Sequence, residues 1–450
     1  MGTPNDIEPV SDPARASGTS RRDFLRISGL LVVGLSTASA TLAQIPGTQP
    51  APPASDPSLG PYPDPDFRNL DSWIVVREDN TSTFYVGKTD LGQGTRTAFR
   101  QVMSDELDMP FERTSVVMGR TDLTIDQGGS GGSDALQTDA WPMRRVAAEA
   151  RRVLLGLGAV HFGVSVEALT VKEGVISLRS DPSARVTYGE LIGGRRFNVT
   201  LKGDSVNETA GTARVKTVQE LQIVGKSPQR DDILAKVDGS LTWNVDVRLP
   251  GMLHARNVKP PVAGATVVSV DESSVQKIPG FVRIVRKGNY IAVLCEREEQ
   301  AIRAARQLKV QWQKPATPMF PPSEQIFDYI RRASPTSSLD PRVVGAPEKA
   351  LASATTVLEA EYEFPFQGHT AFGPAHALAD PSDGQMTIYS NDMKSYSLRN
   401  GVAEFLGLPR ERVRVMWMEG SQAFGRSAAD DAGFEAAFLA NELKRPVRVQ

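Results

Sequence analysis

The chain has 450 residues, of which 40% are hydrophobic and 23% are charged, a composition typical of a globular protein with more than one domain. Its net charge of −2 leaves no basic excess to neutralise phosphates, which argues against nucleic acid as a partner. The single cysteine, Cys295, excludes internal disulfides and any cysteine-ligated zinc site or iron–sulfur cluster within the chain.

The histidines offer no metal site either. His161, His254, His369 and His376 are scattered, and no two of them have metal-ligand spacing on a helix. We expect them to be ordinary surface or core residues. A metal in this chain is therefore expected to be held by something other than side chains.

The first segment predicts a signal peptide over residues 1–43, cleaved near residues 40–43. Ser20–Arg26 contains paired arginines followed by Phe-Leu, and the apolar run Ile27–Leu35 is too short to span a bilayer. This pattern is typical of a twin-arginine export signal and predicts a periplasmic protein without stable membrane insertion. Residues 44–70 form a Pro-rich linker.

The next segment, 71–218, starts with a predicted hairpin and leads into a glycine loop. Trp73–Val76 and Phe84–Val86 alternate as strands, and Thr95–Leu107 has helical spacing. Between strand and helix lies Gly92-Gln93-Gly94, and Thr95 is the expected N-cap. Amides at such a helix start point along the helix dipole, so we expect an anion site here, although a Gly loop before a helix is often an ordinary connection.

A second glycine-dense loop, Asp126–Ser133, follows the predicted strand Ser115–Met118. It is either a flexible surface loop or a loop whose amides and hydroxyls enclose a polar ligand, with Gly128, Gly129 and Ser130 as candidates. After it we predict a long amphipathic helix over Thr138–Phe162 and a small hairpin over Ala168–Arg179.

The pattern changes near residue 221, and we predict a separate α+β segment over residues 219–315. The predicted elements are four strands and a helix: Val245–Leu249, Thr266–Val270, Phe281–Val285, Tyr290–Cys295 and Glu296–Leu308. Residues 316–355 contain many prolines and are predicted to be a second linker.

The last segment, 356–450, returns to strands followed by glycine loops and helices. The predicted elements are Thr356–Phe364, Gln385–Ser390, Leu398–Leu406, Val413–Trp417 and Ala429–Leu443. A third loop contains Phe424, Gly425 and Arg426. The chain stops within an expected new strand at Arg448–Gln450, which predicts a longer natural subunit.

Several of these stretches resemble the molybdopterin-binding large subunit of the xanthine dehydrogenase/aldehyde oxidase family, and most closely its exported isoquinoline 1-oxidoreductase and nicotinate dehydrogenase branch. The stretches similar to its α/β hammerhead domain are Val224–Lys226, Asp231, Ala235–Gly239, Asp246–His254 and Lys259–Pro261. The stretches similar to its three cofactor loops are Gly92–Thr95, Gln127–Ser130 and Phe424–Arg426 with Arg445–Arg448. The Gly-Gln-Gly block precedes the hammerhead, as in that branch.

The resemblance implies a multidomain α+β fold in which molybdopterin-binding parts flank a hammerhead domain. It implies a molybdenum–molybdopterin cofactor, in its cytosine dinucleotide form, whose own sulfurs hold the metal. It also implies oxidation of an aldehyde or N-heteroaromatic substrate with oxygen from water. Electrons would pass to a 2Fe-2S small subunit and on to a cytochrome c acceptor.

The chain departs from the family pattern at two positions. A glutamine that faces the molybdenum in the family aligns with Met393, which offers no amide, so either substrate handling differs or Asn391 substitutes for the glutamine. The family's general-base glutamate lies beyond residue 450, so no catalytic residue is assigned and this chain alone is expected to be inactive. The alternatives are a degenerate, non-catalytic cofactor-binding paralogue and a secreted structural or carbohydrate-binding protein. The last does not explain three glycine loops at helix starts.

Overall fold

The computed structural model describes residues 56–192, 194–335, 337, 343–369, 373–420 and 432–450. These residues belong to one contact unit, residues 50–450. The predicted signal peptide and the third-loop residues Phe424, Gly425 and Arg426 lie outside the described residues. Among the described residues, no helix combines the length and the apolar character that a membrane span requires.

The first part of the fold is a strand–helix–strand unit followed by a long helix. Strands β1 (Ile74–Val76) and β2 (Ser82–Val86) pair antiparallel, and helix α1 (Thr95–Leu107) connects β2 to the parallel strand β3 (Thr114–Met118). Helix α2 (Ala140–Phe162) follows. The helix predicted over Thr95–Leu107, the long helix and the three strands are thereby confirmed, with small differences at their ends.

The apolar positions of the two helices explain this packing. On α1, Phe99, Met103 and Leu107 recur every four residues and are fully buried against the sheet. Burying each such side chain stabilises the fold by roughly 1.5–3 kcal/mol. On α2, Val146, Ala150 and Leu154 lie in the same core. Helix α1 thus packs on the three-stranded sheet, and α2 packs on α1 within the same core.

The following elements are short. They are β4 (Leu169–Lys172), β5 (Val175–Leu178), β6 (Arg185–Thr187), α3 (Tyr188–Ile192) and α4 (Asp231–Asp238). The predicted hairpin is confirmed, since β4 and β5 pair antiparallel across Glu173 and Gly174. Both turn residues have positive φ, 55° and 72°, which the glycine adopts without strain.

Buried carboxylates hold the irregular segment before α4 against the helices. The Glu149 carboxylate accepts the amides of residues 212–213, both at 2.9 Å. The Asp105 carboxylate accepts those of residues 222–224 at 2.9–3.1 Å. Because buried amides need partners, these acceptors fix the path of a segment that has almost no regular structure of its own.

The region predicted as a hammerhead supplies five strands. Its elements and those after it are β7 (Leu253–Asn257), β8 (Thr266–Asp271), β9 (Phe281–Lys287), β10 (Tyr290–Cys295), α5 (Glu298–Gln307), β11 (Lys309–Gln313), α6 (Ile326–Arg332) and α7 (Pro347–Ser353). Two predicted strands are wrong. Val245–Leu249 contains a short 3-10 turn, Asn244–Asp246, and Thr356–Phe364 has no regular structure. An apolar alternation without a partner strand does not make a sheet.

The last elements of the chain complete a sheet that also contains β7, β9 and β10. They are β12 (Ala377–Asp380), β13 (Met386–Ser390), α8 (Ser395–Leu406), β14 (Val413–Trp417), α9 (Ala432–Leu443) and β15 (Val447–Val449). The seven strands lie in the order β14-β13-β12-β15-β7-β10-β9. Strand β15 runs parallel to β7 and joins the two groups, with one core on the face that α8 and α9 cover.

Candidate functional site

A cavity of about 1080 Å³ lies where four loops meet. The loops follow the carboxyl ends of β2, β3, β13 and β14, and each leads toward a helix. β2 is parallel to β3, and β13 is parallel to β14. In sheets with parallel strands, ligands bind beyond the carboxyl ends of the strands, so this cavity is the candidate site.

The two parallel pairs are connected to each other directly beneath the cavity. The amide of Thr121 donates to the carbonyl of Val415 at 3.1 Å, and the amide of Val415 donates to Thr121 Oγ1 at 2.9 Å. Gly119 makes this approach feasible, because a Cβ there would lie 2.8 Å from Trp417 Cβ. The loops of both sheets therefore face one space.

The described residues that line the cavity come from all four loops and from the segment around α4. They are Asp90, Leu91, Gly92, Gln93, Thr95, Ser130, Gly131, Gly132, Ser133, Ala135, Leu136, Lys236, Trp243, Asn391, Met393, Lys394, Trp417, Glu419 and Gly420. Five of the eleven predicted cofactor residues are in this set: Gly92, Gln93, Thr95, Ser130 and Met393. Gly94, Gly128 and Gly129 lie in the same loops without lining the cavity.

The first loop is shaped by a carboxylate that the sequence pattern did not single out. Asp90 Oδ1 accepts the amides of Gly92 at 2.8 Å and Gly94 at 3.1 Å, and Oδ2 accepts the amide of Arg96 at 2.9 Å. The predicted N-cap, Thr95, is wrong: the N-cap is Gly94, with φ of 87°. Asp90 thus occupies the amides that we expected to bind an anion. A short acidic residue preceding Gly-X-Gly was the available signal.

Gln93 is exposed toward the cavity but its side chain is held in place. Its Oε1 accepts the amide of Leu91 at 2.7 Å, and its Nε2 donates to Thr95 Oγ1 at 3.4 Å. A glutamine fixed in this way offers a ligand a preset amide orientation.

The second loop is fastened to the first by buried side chains. Lys88 Nζ donates to the carbonyl of Gly129 at 2.6 Å and pairs with Asp139 at 2.5 Å. Thr89 donates its amide to Ser130 Oγ at 2.9 Å, and Ser130 Oγ donates back to the Thr89 carbonyl at 2.8 Å. The two glycine loops are therefore held together as one wall of the cavity.

Gly129 allows the second loop to approach the loop after β13 closely, because it has no side chain. A Cβ on it would lie 2.8 Å from both Lys394 Cα and the Met393 carbonyl oxygen, and its φ is 81°. The Met393 carbonyl accepts the amide of Ser130 at 2.8 Å. The loop after β13 is therefore bound through its main chain, while the Met393 side chain, 8% exposed, faces the cavity wall.

Arg230, just before α4, connects that helix to the first loop. Its Nη1 donates to the carbonyl of Gly92 at 3.1 Å, and its Nη2 pairs with Asp232 at 2.6 Å. Lys236, on the cavity wall, pairs with the same carboxylate at 2.5 Å. These groups hold the pKa of Asp232 well below its usual value, chiefly through the hydrogen bond from Arg230. On the opposite wall, Glu419 pairs with Arg96 at 2.9 Å.

Burial perturbs one carboxyl at the start of the second loop. Asp126 accepts the amide of Gly128 at 2.9 Å, yet burial raises its pKa above the usual value for aspartate. The site therefore contains a carboxyl whose neutral form is favoured by its surroundings.

The described residues offer main-chain and amide groups in this cavity instead of metal ligands. Among them, no group of three or more His, Cys, Asp or Glu side chains could hold a metal ion. Trp417 is buried, and its indole N–H has no acceptor in the same described set. Burial raises the pKa of the Cys295 thiol to about 11, so it carries no thiolate at neutral pH. This donor set fits a cofactor that brings its own metal ligands and needs hydrogen bonds to its organic part.

Comparison with known proteins gives a consistent result. Two family models, both described as "Molybdopterin cofactor-binding domain", match residues 53–221 and 333–450. A nicotinate dehydrogenase chain of Pseudomonas putida is 35% identical over 416 residues, which is 89% of this chain and 34% of that protein. The beta chain of isoquinoline 1-oxidoreductase from Brevundimonas diminuta is 26% identical over 96% of this chain and 59% of that protein.

The fold comparison covers half of the chain. The crystal structure of quinoline 2-oxidoreductase from Pseudomonas putida 86 aligns with 50% of this chain and 34% of its own, with a TM-score of 0.42 and 19% identity. The chain thus spans about a third to three fifths of the length of the two curated relatives described above.

Proposed function

Because the chain belongs to the molybdopterin-binding subunits of the xanthine dehydrogenase/aldehyde oxidase family, we propose that it is the cofactor-binding part of the large subunit of a molybdenum hydroxylase. The proposed reaction is oxidation of an aldehyde or an N-heterocycle with oxygen from water. The observation that carries the proposal is the cavity on which Gly92, Gln93, Ser130 and Met393 converge from three loops.

In this proposal the cofactor supplies the redox chemistry and the chain positions it. Gln93 presents its fixed amide to the pterin, and the amides of the second loop bind polar groups. Met393, Trp417 and Leu136 provide apolar surface in the cavity against which a substrate can pack. No general base is assigned among the described residues.

The proposed partners and location go beyond the cavity. The one cysteine of these 450 residues, Cys295, cannot ligate an iron–sulfur cluster, and we propose a 2Fe-2S small subunit and a cytochrome c acceptor as electron carriers. We also propose the cytosine dinucleotide form of the cofactor and export to the periplasm through Arg21 and Arg22. Replacing both arginines with lysine is expected to block export, and normal periplasmic accumulation would contradict that part.

A second candidate is a cofactor-binding chain without turnover. The observation that favours it is Met393, which stands where the resemblance implies a glutamine and which cannot donate or accept an amide hydrogen bond. The two candidates predict the same cofactor content and differ in reduction of an electron-accepting dye by aldehydes or N-heterocycles.

The deciding experiment measures molybdenum and pterin in the protein purified from its native host, together with its intact mass. About one molybdenum per chain supports both candidates, and dye reduction then separates them. Protein that is fully folded by circular dichroism but contains neither molybdenum nor pterin would overturn the proposed function.

A further inference from the structure

Lys394 is a cation on the cavity wall that the family resemblance does not explain. It lies directly before α8, and its side chain is exposed. Its Cε is 3.9 Å from the position that a Cβ would take on Gly131. Within the described part of the chain, its ammonium group has no hydrogen-bond or ion-pair partner, whereas its amide donates to Asp392 Oδ1 at 2.6 Å.

The other charged side chains on the cavity wall are already compensated. Asp90 accepts three amides, Lys236 pairs with Asp232 at 2.5 Å, and Glu419 pairs with Arg96 at 2.9 Å. Lys394 therefore contributes the one uncompensated charge among the described residues of the wall. An uncompensated cation on a cavity wall attracts anions, because the low-dielectric protein around a concave site focuses its field.

The loop next to Lys394 adds main-chain donors. The amides of Gly131, Gly132 and Ser133 have no acceptor in the part of the chain that the structure describes, and all three residues line the cavity. Gly132 and Ser133 have positive φ, 64° and 60°. Successive unpaired amides in such a turn form a concavity for negatively charged oxygen atoms.

A third group on the same wall is a donor that finds no acceptor among the described residues. Trp417 is 8% exposed, and its Nε1–H is buried and unpaired within that set. A buried unpaired donor is costly, so its presence indicates a ligand with acceptors. A carboxylate also lies beside this loop, because Asp134 Oδ2 is 3.6 Å from the position that a Cβ would take on Gly132.

We propose that Lys394, together with the amides of Gly131, Gly132 and Ser133, binds an oxyanion group in the cavity. That group is either a phosphate of the cofactor or a carboxylate of the substrate. The assignment rests on the proposed function, because it assumes that cofactor and substrate occupy this cavity. It places the anion site at the second loop, since Asp90 fills the helix start where the sequence pattern predicted one.

The first experiment measures binding of inorganic pyrophosphate to the cofactor-free 450-residue chain by calorimetry. Lys394→Met is expected to weaken binding about tenfold, and Lys394→Arg, which keeps the charge, to weaken it no more than about threefold. Lys172→Met is the matched control, because it removes an exposed cation from β4. Equal affinity in the wild type and Lys394→Met would overturn the proposal.

The second experiment identifies the source of the oxyanion in the cofactor-loaded protein. If the cofactor's phosphate occupies the site, Lys394→Met purifies with a several-fold lower pterin and molybdenum content. If a substrate carboxylate occupies it, cofactor content is unchanged, and KM rises about tenfold for anionic substrates but not for neutral analogues. No change in either quantity would contradict the proposal. A wild-type protein that binds pyrophosphate through Lys394 but never contains molybdenum would overturn the proposed function and leave the anion site standing.

Discussion

The amide of Ser130 donates to the main-chain carbonyl of Met393 at 2.8 Å, although the two residues lie 263 positions apart in the sequence. The Thr89 hydroxyl donates to the same carbonyl at 3.4 Å. One main-chain oxygen therefore joins the two glycine loops to the loop after β13. The Met393 side chain takes no part in this junction.

The first prediction concerns Met393→Gln. Because the main chain makes the junction but the new amide replaces a thioether at a nearly buried position, we expect the free energy of unfolding to fall by no more than about 1–3 kcal/mol. Molybdenum content should be unchanged, while the new amide should alter the rate of dye reduction. Loss of molybdenum in this variant would contradict the main-chain junction.

The second prediction concerns the Asp90 cap. Asp90→Ala removes the acceptor of three amides and should lower the free energy of unfolding by about 2 kcal/mol in urea titrations. Asp90→Asn keeps an oxygen that can accept the amides of Gly92 and Gly94. Its free energy of unfolding should therefore fall by about half as much as that of Asp90→Ala. Asp181→Ala, in an exposed turn where the carboxylate accepts the Ser183 amide, is the control and should have a much smaller effect on the free energy of unfolding. Equal effects at the two positions would refute the assigned role of Asp90.

The third prediction compares two glycines with positive φ. Gly129→Ala meets Lys394 and Met393 at 2.8 Å and should destabilise the fold by about 2–4 kcal/mol through clash and strain. Gly92→Ala, with φ of 107° and no heavy atom within 4 Å of its Cβ, should show strain alone, about 1–2 kcal/mol. Denaturant unfolding measures both. A smaller loss at Gly129 than at Gly92 would exclude the tight junction.

Gly94 allows a related test of cofactor binding. Its φ is 87°, and a Cβ there would lie 3.1 Å from Arg230 Nη1. Gly94→Val should therefore shift the first loop and abolish cofactor retention while leaving the fold of residues 219–315 intact. Molybdenum content measures whether the cofactor is retained, and limited proteolysis measures whether the rest of the chain stays folded. Undiminished molybdenum would reject the first loop as a cofactor loop.

The fourth prediction is a pH dependence from Asp126. Burial raises its pKa in the folded chain, so the folded state holds the proton more tightly than the unfolded state does. Its ionisation therefore costs stability as pH rises from about 4 through the folded pKa, by about 1.4 kcal/mol for each unit of difference in pKa. Asp126→Asn, which keeps the oxygen that accepts the Gly128 amide, should become more stable relative to the wild type over that range.

Asp181 provides a control of opposite sign. Hydrogen bonds from Ser183 lower its pKa, so its contribution to stability is present at high pH and is lost as pH falls. Asp181→Asn should therefore become less stable relative to the wild type as pH rises. If the stability of both variants relative to the wild type changed with pH in the same direction, the result would contradict the raised pKa of Asp126.

Local patterns in the sequence were sufficient to predict the helices and strands that position the loops. Phe99, Met103 and Leu107 define the helix after the first loop, and the spacing of Gly92 and Gly94 marks where the chain turns. The role of Asp90 had only a weak signal in the sequence, because an aspartate before Gly-X-Gly can either face solvent or accept the amides of the turn.

Pairings between distant strands were also beyond local pattern. Leu253–Asn257 alternates too weakly to be predicted, and its strand forms between Tyr290–Cys295 on one side and Val447–Val449 on the other. The alternating stretch Val245–Leu249 has no such neighbour among the described residues and forms no strand. Lys394 was missed because its significance depends on Gly131, which approaches it only in the folded chain.

The parallel pairing of β15 with β7 also sets a time order for synthesis. Arg256 at the end of β7 donates to the Gln450 carbonyl at 2.9 Å, and the two residues are 194 positions apart. A ribosome that adds about 5–20 residues per second needs roughly 10–40 s to cover that distance. One edge of β7 therefore stays unpaired during translation, carrying the charged Arg256 that discourages pairing with other chains.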